Sequence, residues 1–80
     1  MQLNIVARTY EKKIGVRLAQ ARADAKLSRE KVLNLIYDRF GFYIHNCLYE
    51  RIENGKCHPK AVYVVAICSV LSLDPMSLLE

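Results

Sequence analysis

Apolar residues recur along this chain at helical spacing, with polar residues filling the gaps between them. Ile14, Leu18, Ala21 and Ala25 fall at i, i+4, i+7 and i+11, one face of a first helix running from near Thr9 to about Lys26. Ser28 then offers a side-chain oxygen to the free N–H groups of a helix start, and Arg29-Glu30-Lys31 makes a charged first turn. Val32, Ile36 and Phe40 line the inner face of this second helix, and Gly41 stops it. Ile44, Leu48 and Ile52, with Tyr49 beside them, place a third helix at Ile44 to Glu53. Asn54-Gly55 ends it, because both residues tolerate the left-handed conformation of a helix exit. Pro59 or Lys60 opens a fourth helix with Val64, Val65, Cys68 and Leu71 inward. Asp74-Pro75 reads as a cap followed by proline at N1, opening a short last helix that contributes Leu78 and Leu79. The pattern predicts an all-α domain of five helices without strands, at residues 10–80, preceded by an extension at residues 1–9.

Composition narrows the class. Eighty residues allow one domain with one core, and 52% hydrophobic residues are ample for it. The longest apolar run, Ala61 to Cys68, is far short of the roughly 20 residues a membrane span needs, and no signal peptide pattern opens the chain. Three cysteines without Cys-x-x-Cys spacing argue against a disulfide framework and for a reducing, cytoplasmic setting. Twelve Lys and Arg against eight Asp and Glu give a formal charge of +4, an excess that permits nucleic-acid binding without requiring it.

No Gly-rich phosphate loop, serine elbow or paired acid cluster is present, so no enzyme and no cofactor are expected. His45-x-Cys47 and Cys57-His58 invite a zinc reading, but their spacing matches no common zinc module, and no metal is expected. Cys68 reads as a small core residue of the fourth helix.

Three pieces in order carry a resemblance. They are Ile14-Gly15-Val16-Arg17-Leu18-Ala19-Gln20-Ala21-Arg22 with Leu27-Ser28, then Tyr49-Glu50-Arg51-Ile52-Glu53-Asn54-Gly55-Lys56, then Pro59 and Val70 to Leu79. Together they resemble the helix-turn-helix domain of phage repressors and Cro proteins, the XRE-type regulators, across residues 14–79. The resemblance implies a repressor-like helix-turn-helix fold whose third helix enters the DNA major groove. One departure stands out: about six extra residues, Tyr37 to Phe42, extend the connection between the second and third helices.

On the third helix, His45, Asn46, Cys47, Glu50 and Arg51 fall away from the apolar stripe and become the expected base readers. Asn pairs two-pronged with adenine, Arg with guanine, and Glu accepts from cytosine. An ordinary solvated polar face is the bland alternative. The family carries glutamines where this chain has Arg29 and Asn46, so its usual contact between the two helices is altered. Arg29 becomes an expected phosphate contact at a helix start, and Cys47 a candidate for a thymine methyl. Asn54 and Lys56 match family residues that hold the sugar-phosphate backbone, and Lys60 is a further phosphate candidate. Arg22 and Glu53 match a pair that forms an internal salt bridge in several phage repressors.

The resemblance implies a transcriptional regulator, commonly a repressor, that binds double-stranded DNA as a homodimer across two half-sites. By elimination Leu3, Ile5 and Val6 are the expected dimer element, through apolar contact or as short paired strands. The alternative is an antitoxin-like or other protein-interaction module. The aromatic insertion Tyr37-Asp38-Arg39-Phe40-Gly41-Phe42-Tyr43 then meets a protein partner, or else it fills the volume the insertion creates.

Overall fold

A computed structural model describes the backbone of residues 2–79 and the side chains of residues 9–78. Helix α1 spans Gln2–Asp24, α2 Arg29–Phe40, α3 Asn46–Glu53 and α4 Ala61–Leu71, and a 3-10 helix, Pro75–Leu79, closes the order. No strand occurs among the described residues. The fifth expected helix is thus a 3-10 turn, started by Asp74: its carboxylate accepts from the Met76 N–H at 3.1 Å. The radius of gyration, 12.2 Å, is close to the roughly 12 Å of a packed chain of this length.

Helix α1 departs most from expectation. It begins at Gln2 rather than near Thr9, because neither Gly nor Pro interrupts the residues between. The backbone of the expected extension is therefore the first turns of α1, which removes pairing as short strands. The side chains of Leu3, Ile5 and Val6 lie outside the described residues. At its other end α1 stops at Asp24, two residues short of Lys26, and Ala25 is exposed rather than inward.

Three helices end in the same way. Lys26, Gly55 and Ser72 take left-handed backbone, with φ of 60°, 69° and 56°. The following residue's N–H then reaches back over the last turn: Leu27 to the Arg22 carbonyl, Lys56 to Arg51, and Leu73 to Cys68. Only Gly55 adopts that conformation without a Cβ penalty. Asn54 stays right-handed at φ −86°, so the turn at Asn54-Gly55 rests on the glycine alone. Lys26→Gly is accordingly expected to stabilise the fold by about 0.5 kcal/mol, the relief of left-handed strain less the added chain entropy. A lower midpoint in thermal melts would show that the Lys26 side chain contributes more than its backbone costs.

Leu18, Val32, Leu33, Ile36, Ile44, Tyr49, Ile52, Ala66, Ile67, Cys68 and Leu78 form one buried cluster joining all the elements. Besides Ala25, two expected core residues lie elsewhere. Phe40 is 43% exposed at the end of α2, its ring 6.1 Å from that of Phe42. Val65 is 52% exposed, while Ala66 and Ile67 take the buried positions beside Cys68. Helix α4 carries no charged residue from Ala61 to Leu71, so its sequence has no polar side to fix which face turns inward. Burial pushes the Cys68 thiol up to about 11, with a smaller push from Asp74. No helix among the described residues is long and apolar enough to cross a membrane.

Candidate functional site

Helix α3 is short and strongly two-sided. Tyr49, Ile52 and Glu53 are buried, whereas His45, Asn46, Cys47, Glu50 and Arg51 are exposed. The helix starts two residues later than its apolar spacing suggested. Ile44 is buried just before it, and His45 serves as N-cap, its Nδ1 accepting from the Cys47 N–H at 3.1 Å. Ile44 ahead of the cap and Tyr49 one turn in are both core residues, the arrangement of a hydrophobic staple. Because Nδ1 accepts, a neutral His45 ring carries its proton on Nε2 and keeps one donor for other partners.

The inner side of α3 is fastened by charge as well as by packing. Arg22 on α1 clamps Glu53 with two hydrogen bonds, Nε to Oε2 at 2.7 Å and a second to Oε1 at 3.2 Å. Another Arg22 nitrogen donates to the Leu27 carbonyl at 3.0 Å, tying the clamp to the end of α1. The Glu53 side chain is only 1% exposed. Burial pushes its carboxyl up, but the hydrogen bonds from Arg22 and Arg29 outweigh that and hold it below the usual carboxylate range. Tyr49, buried beside this pair, makes no hydrogen bond through its hydroxyl, and burial pushes its phenol well above the ordinary value.

Arg29, an expected phosphate contact, also has partners within the fold. Its Nε donates to Glu53 Oε1 at 3.0 Å, and its terminal nitrogen lies 3.6 Å from Glu50 Oε2. It is therefore engaged by two carboxylates of α3, with its side chain 37% exposed. Nothing in the sequence pattern signals this contact: Arg29 sits on α2, and only the packing of α2 on α3 brings the groups together. Glu50, its side chain 56% exposed, lies within ion-pair reach of α2.

Of the other expected contacts, Asn54 and Lys56 lie at the exit of α3 and Lys60 at the start of α4. Asn54 and Lys56 are exposed, as is Lys60, whose ammonium lies 5.9 Å from the Tyr63 ring centre. Arg51 turns toward this exit, 3.5 Å from the Lys56 carbonyl, a long hydrogen bond that is easily exchanged. Gly55 is required here by more than its φ. A Cβ on it would come within 2.7 Å of the Lys12 Cα, so the exit loop lies directly on α1. The same side of α1 supplies Glu11, whose carboxylate is 3.1 Å from His58 Nδ1.

His45 with Cys47 and Cys57 with His58 lie at opposite ends of α3, and no metal-holding group of three such residues occurs among the described residues. The insertion divides its aromatics. Phe42 packs inward, 5.9 Å from the Tyr63 ring of α4, which answers the volume the insertion creates. Tyr37 and Tyr43 meet edge to face at 6.5 Å, yet Tyr43 remains 61% exposed just before the α3 cap. Arg39 spans to α4, donating to the Ser69 carbonyl at 2.9 Å. No protein-family profile, curated protein or solved structure matches this chain.

Proposed function

We propose that the chain is a sequence-specific DNA-binding transcriptional regulator of the Cro and phage-repressor type, with α3 as the helix that enters the major groove. One observation carries this reading. The polar face of α3 is exposed from its first turn, while its other face is clamped to α1 and α2 by Glu53, Tyr49 and Ile52. A rigid support behind a polar helix is what base reading requires, since a misplaced donor loses its pairing. Eight residues of helix span about 12 Å, the width of the major groove. Asn46 and the His45 ring open that face, and the exposed Lys56 just past its exit and Lys60 at the start of α4 are the cations offered to phosphates.

In this reading α2, whose last turn takes up Tyr37 to Phe40 of the extra residues, and α3 form a repressor-like helix-turn-helix joined through residues 41–45. The protein acts in the cytoplasm as a homodimer, each copy reading one half-site, and occupancy of the operator blocks transcription. Selection of bound duplexes from a random pool tests it, a palindromic motif being the expected result. On the selected site, Asn46→Ala and Arg51→Ala are each expected to cost about 1–3 kcal/mol and to relax base preference. Lys56→Ala instead weakens binding to all sequences and flattens the salt dependence by about one unit. Unchanged binding by the Asn46 and Arg51 variants would show that the reading face lies elsewhere.

A second reading draws on the exposed aromatics. Tyr37, Phe40 and Tyr43 together present an apolar surface suited to a protein-interaction module. A stable complex with a protein, combined with no salt-dependent binding to any duplex, favours that module over the regulator.

A further inference from the structure

Glu50 is an unusual neighbour for DNA. It is an exposed carboxylate on the face that the regulator reading turns toward a polyanion, and an unpartnered charge there repels phosphates. Its surroundings answer the difficulty. Arg22, Glu53, Arg29 and Glu50 form a chain of alternating charge that runs from the buried side of α3 to its outer face. The first link, at 2.7 Å, is nearly sealed from water; the second, at 3.0 Å, fixes the Arg29 guanidinium; the third, at 3.6 Å, reaches the Glu50 carboxylate. Arg29 thus serves two carboxylates one turn apart on α3, a task that suits the planar fork of arginine and not the single ammonium of lysine.

From this geometry we infer that Arg29 is a positioning residue: it holds Glu50 as the acceptor that selects cytosine at one base pair of each half-site. The assignment rests on the DNA-binding reading and deepens it. A carboxylate only accepts hydrogen bonds, and the major-groove base edges offer donors only at the amino groups of cytosine and adenine. Adenine places the N7 acceptor next to its amino group, where a carboxylate is repelled, so cytosine is favoured. Guanine and thymine present acceptors and are rejected. Because its charge is shared by Glu50 and Glu53, Arg29 adds little to phosphate attraction. Its contribution is to the direction of Glu50, not to the overall charge of the face.

The test is duplex selection from a random pool with the full chain and three variants, each first checked for helical content by circular dichroism. The parent is expected to enrich cytosine at least about fivefold at one position of each half-site. Glu50→Gln moves that position toward adenine, because an amide pairs with adenine two-pronged. Arg29→Lys and Arg29→Gln are expected to flatten that position to within about twofold of background while the rest of the motif persists. Lysine keeps the charge, so a phosphate contact would survive the change, whereas the two-carboxylate bridge would not.

Retention of the cytosine preference by Arg29→Lys overturns the assignment. So does a uniform loss over all sequences in the Arg29 variants with a shallower salt dependence, the signature of a phosphate contact. If the Arg29 variants do not fold, Glu50→Gln decides alone, since it leaves Arg29 on Glu53: an unmoved preference overturns the assignment. A parent that enriches no motif defeats the DNA-binding reading itself, an outcome seen before any variant is compared.

Discussion

Glu53→Ala is expected to destabilise the protein by about 3–5 kcal/mol, because it strands the Arg22 guanidinium in a mostly buried site without its counter-charge. Arg22→Ala should cost a similar amount, since Arg29 then faces a sealed carboxylate through a single hydrogen bond. A chain of 80 residues has only roughly 4–12 kcal/mol of total stability, so either change removes a large share of it. Thermal melts should show midpoints lowered by about 15–30 °C. The double variant Arg22→Met with Glu53→Leu is the informative companion. Removing both charges in favour of apolar volume leaves no sealed charge unpaired, since Arg29 is partly exposed and keeps Glu50 at 3.6 Å, so it should recover much of the loss. A loss equal to the sum of the two single changes would show that packing, and not charge pairing, fastens α1 to α3.

The same carboxylate sets a pH dependence. Its pKa in the fold lies below the unfolded value near 4.5, so folding is favoured wherever Glu53 is ionised. That contribution is complete above the unfolded value and is lost as pH falls through the folded one. Denaturant melts between pH 7 and pH 3 should therefore show falling stability at the acid end, and Glu53→Gln should show a weaker fall. An equal acid fall in parent and variant would assign it to other carboxylates.

What the sequence made legible was whatever two-sided spacing controls. Val32 and Ile36 on α2, Leu18 on α1 and Ile52 on α3 are buried where their intervals placed them, because polar neighbours fix the phase of each helix. Where the polar side is missing, the phase is undetermined, which is why Val65 faces out and Ile67 in on α4. Helix starts follow local chemistry only when it is decisive. Ser28 caps α2 through a 3.0 Å bond to the Lys31 N–H, as its residue type suggested. Thr9 starts nothing, because neither Gly nor Pro breaks the residues before it and α1 runs through. The start of α3 departs from the apolar spacing because Ile44 continues that spacing while belonging to the turn before the cap. The polar face of α3 was legible from spacing, but the bridge from Arg29 to Glu50 and Glu53 was not. It depends on the angle at which α2 crosses α3, which periodicity does not encode.

The approach of α1 to the end of α3, where the Arg22 clamp sits, is set by Gly15. A glycine within a helix costs about 0.5–1 kcal/mol relative to alanine, so its presence in the middle of α1 needs a reason in the packing. The reason is backbone contact. A Cβ on Gly15 would come within 2.6 Å of the Ile52 carbonyl oxygen and 2.8 Å of the Glu53 carbonyl carbon, with the Glu53 oxygen closer still. All of these are main-chain atoms at the end of α3, which cannot turn aside as a flexible side chain would. Gly15→Ala must therefore push α1 off α3, an overpacking cost of about 3 kcal/mol offset by up to about 1 kcal/mol of helix propensity. Gly15→Val adds two methyl groups and a β-branch with no such offset, and should cost more than 3 kcal/mol, the upper range for overpacking. Gly41→Ala is the contrasting case: nothing lies within 4 Å of its Cβ, so only the strain of φ 80° opposes it, about 1–2 kcal/mol. In denaturant melts the order of loss should be Gly15→Val, then Gly15→Ala, then Gly41→Ala. If Gly15→Ala proves neutral, α1 and α3 have room to move apart. The Arg22 clamp, which reaches the same turn of α3, is then what sets the presentation of its polar face.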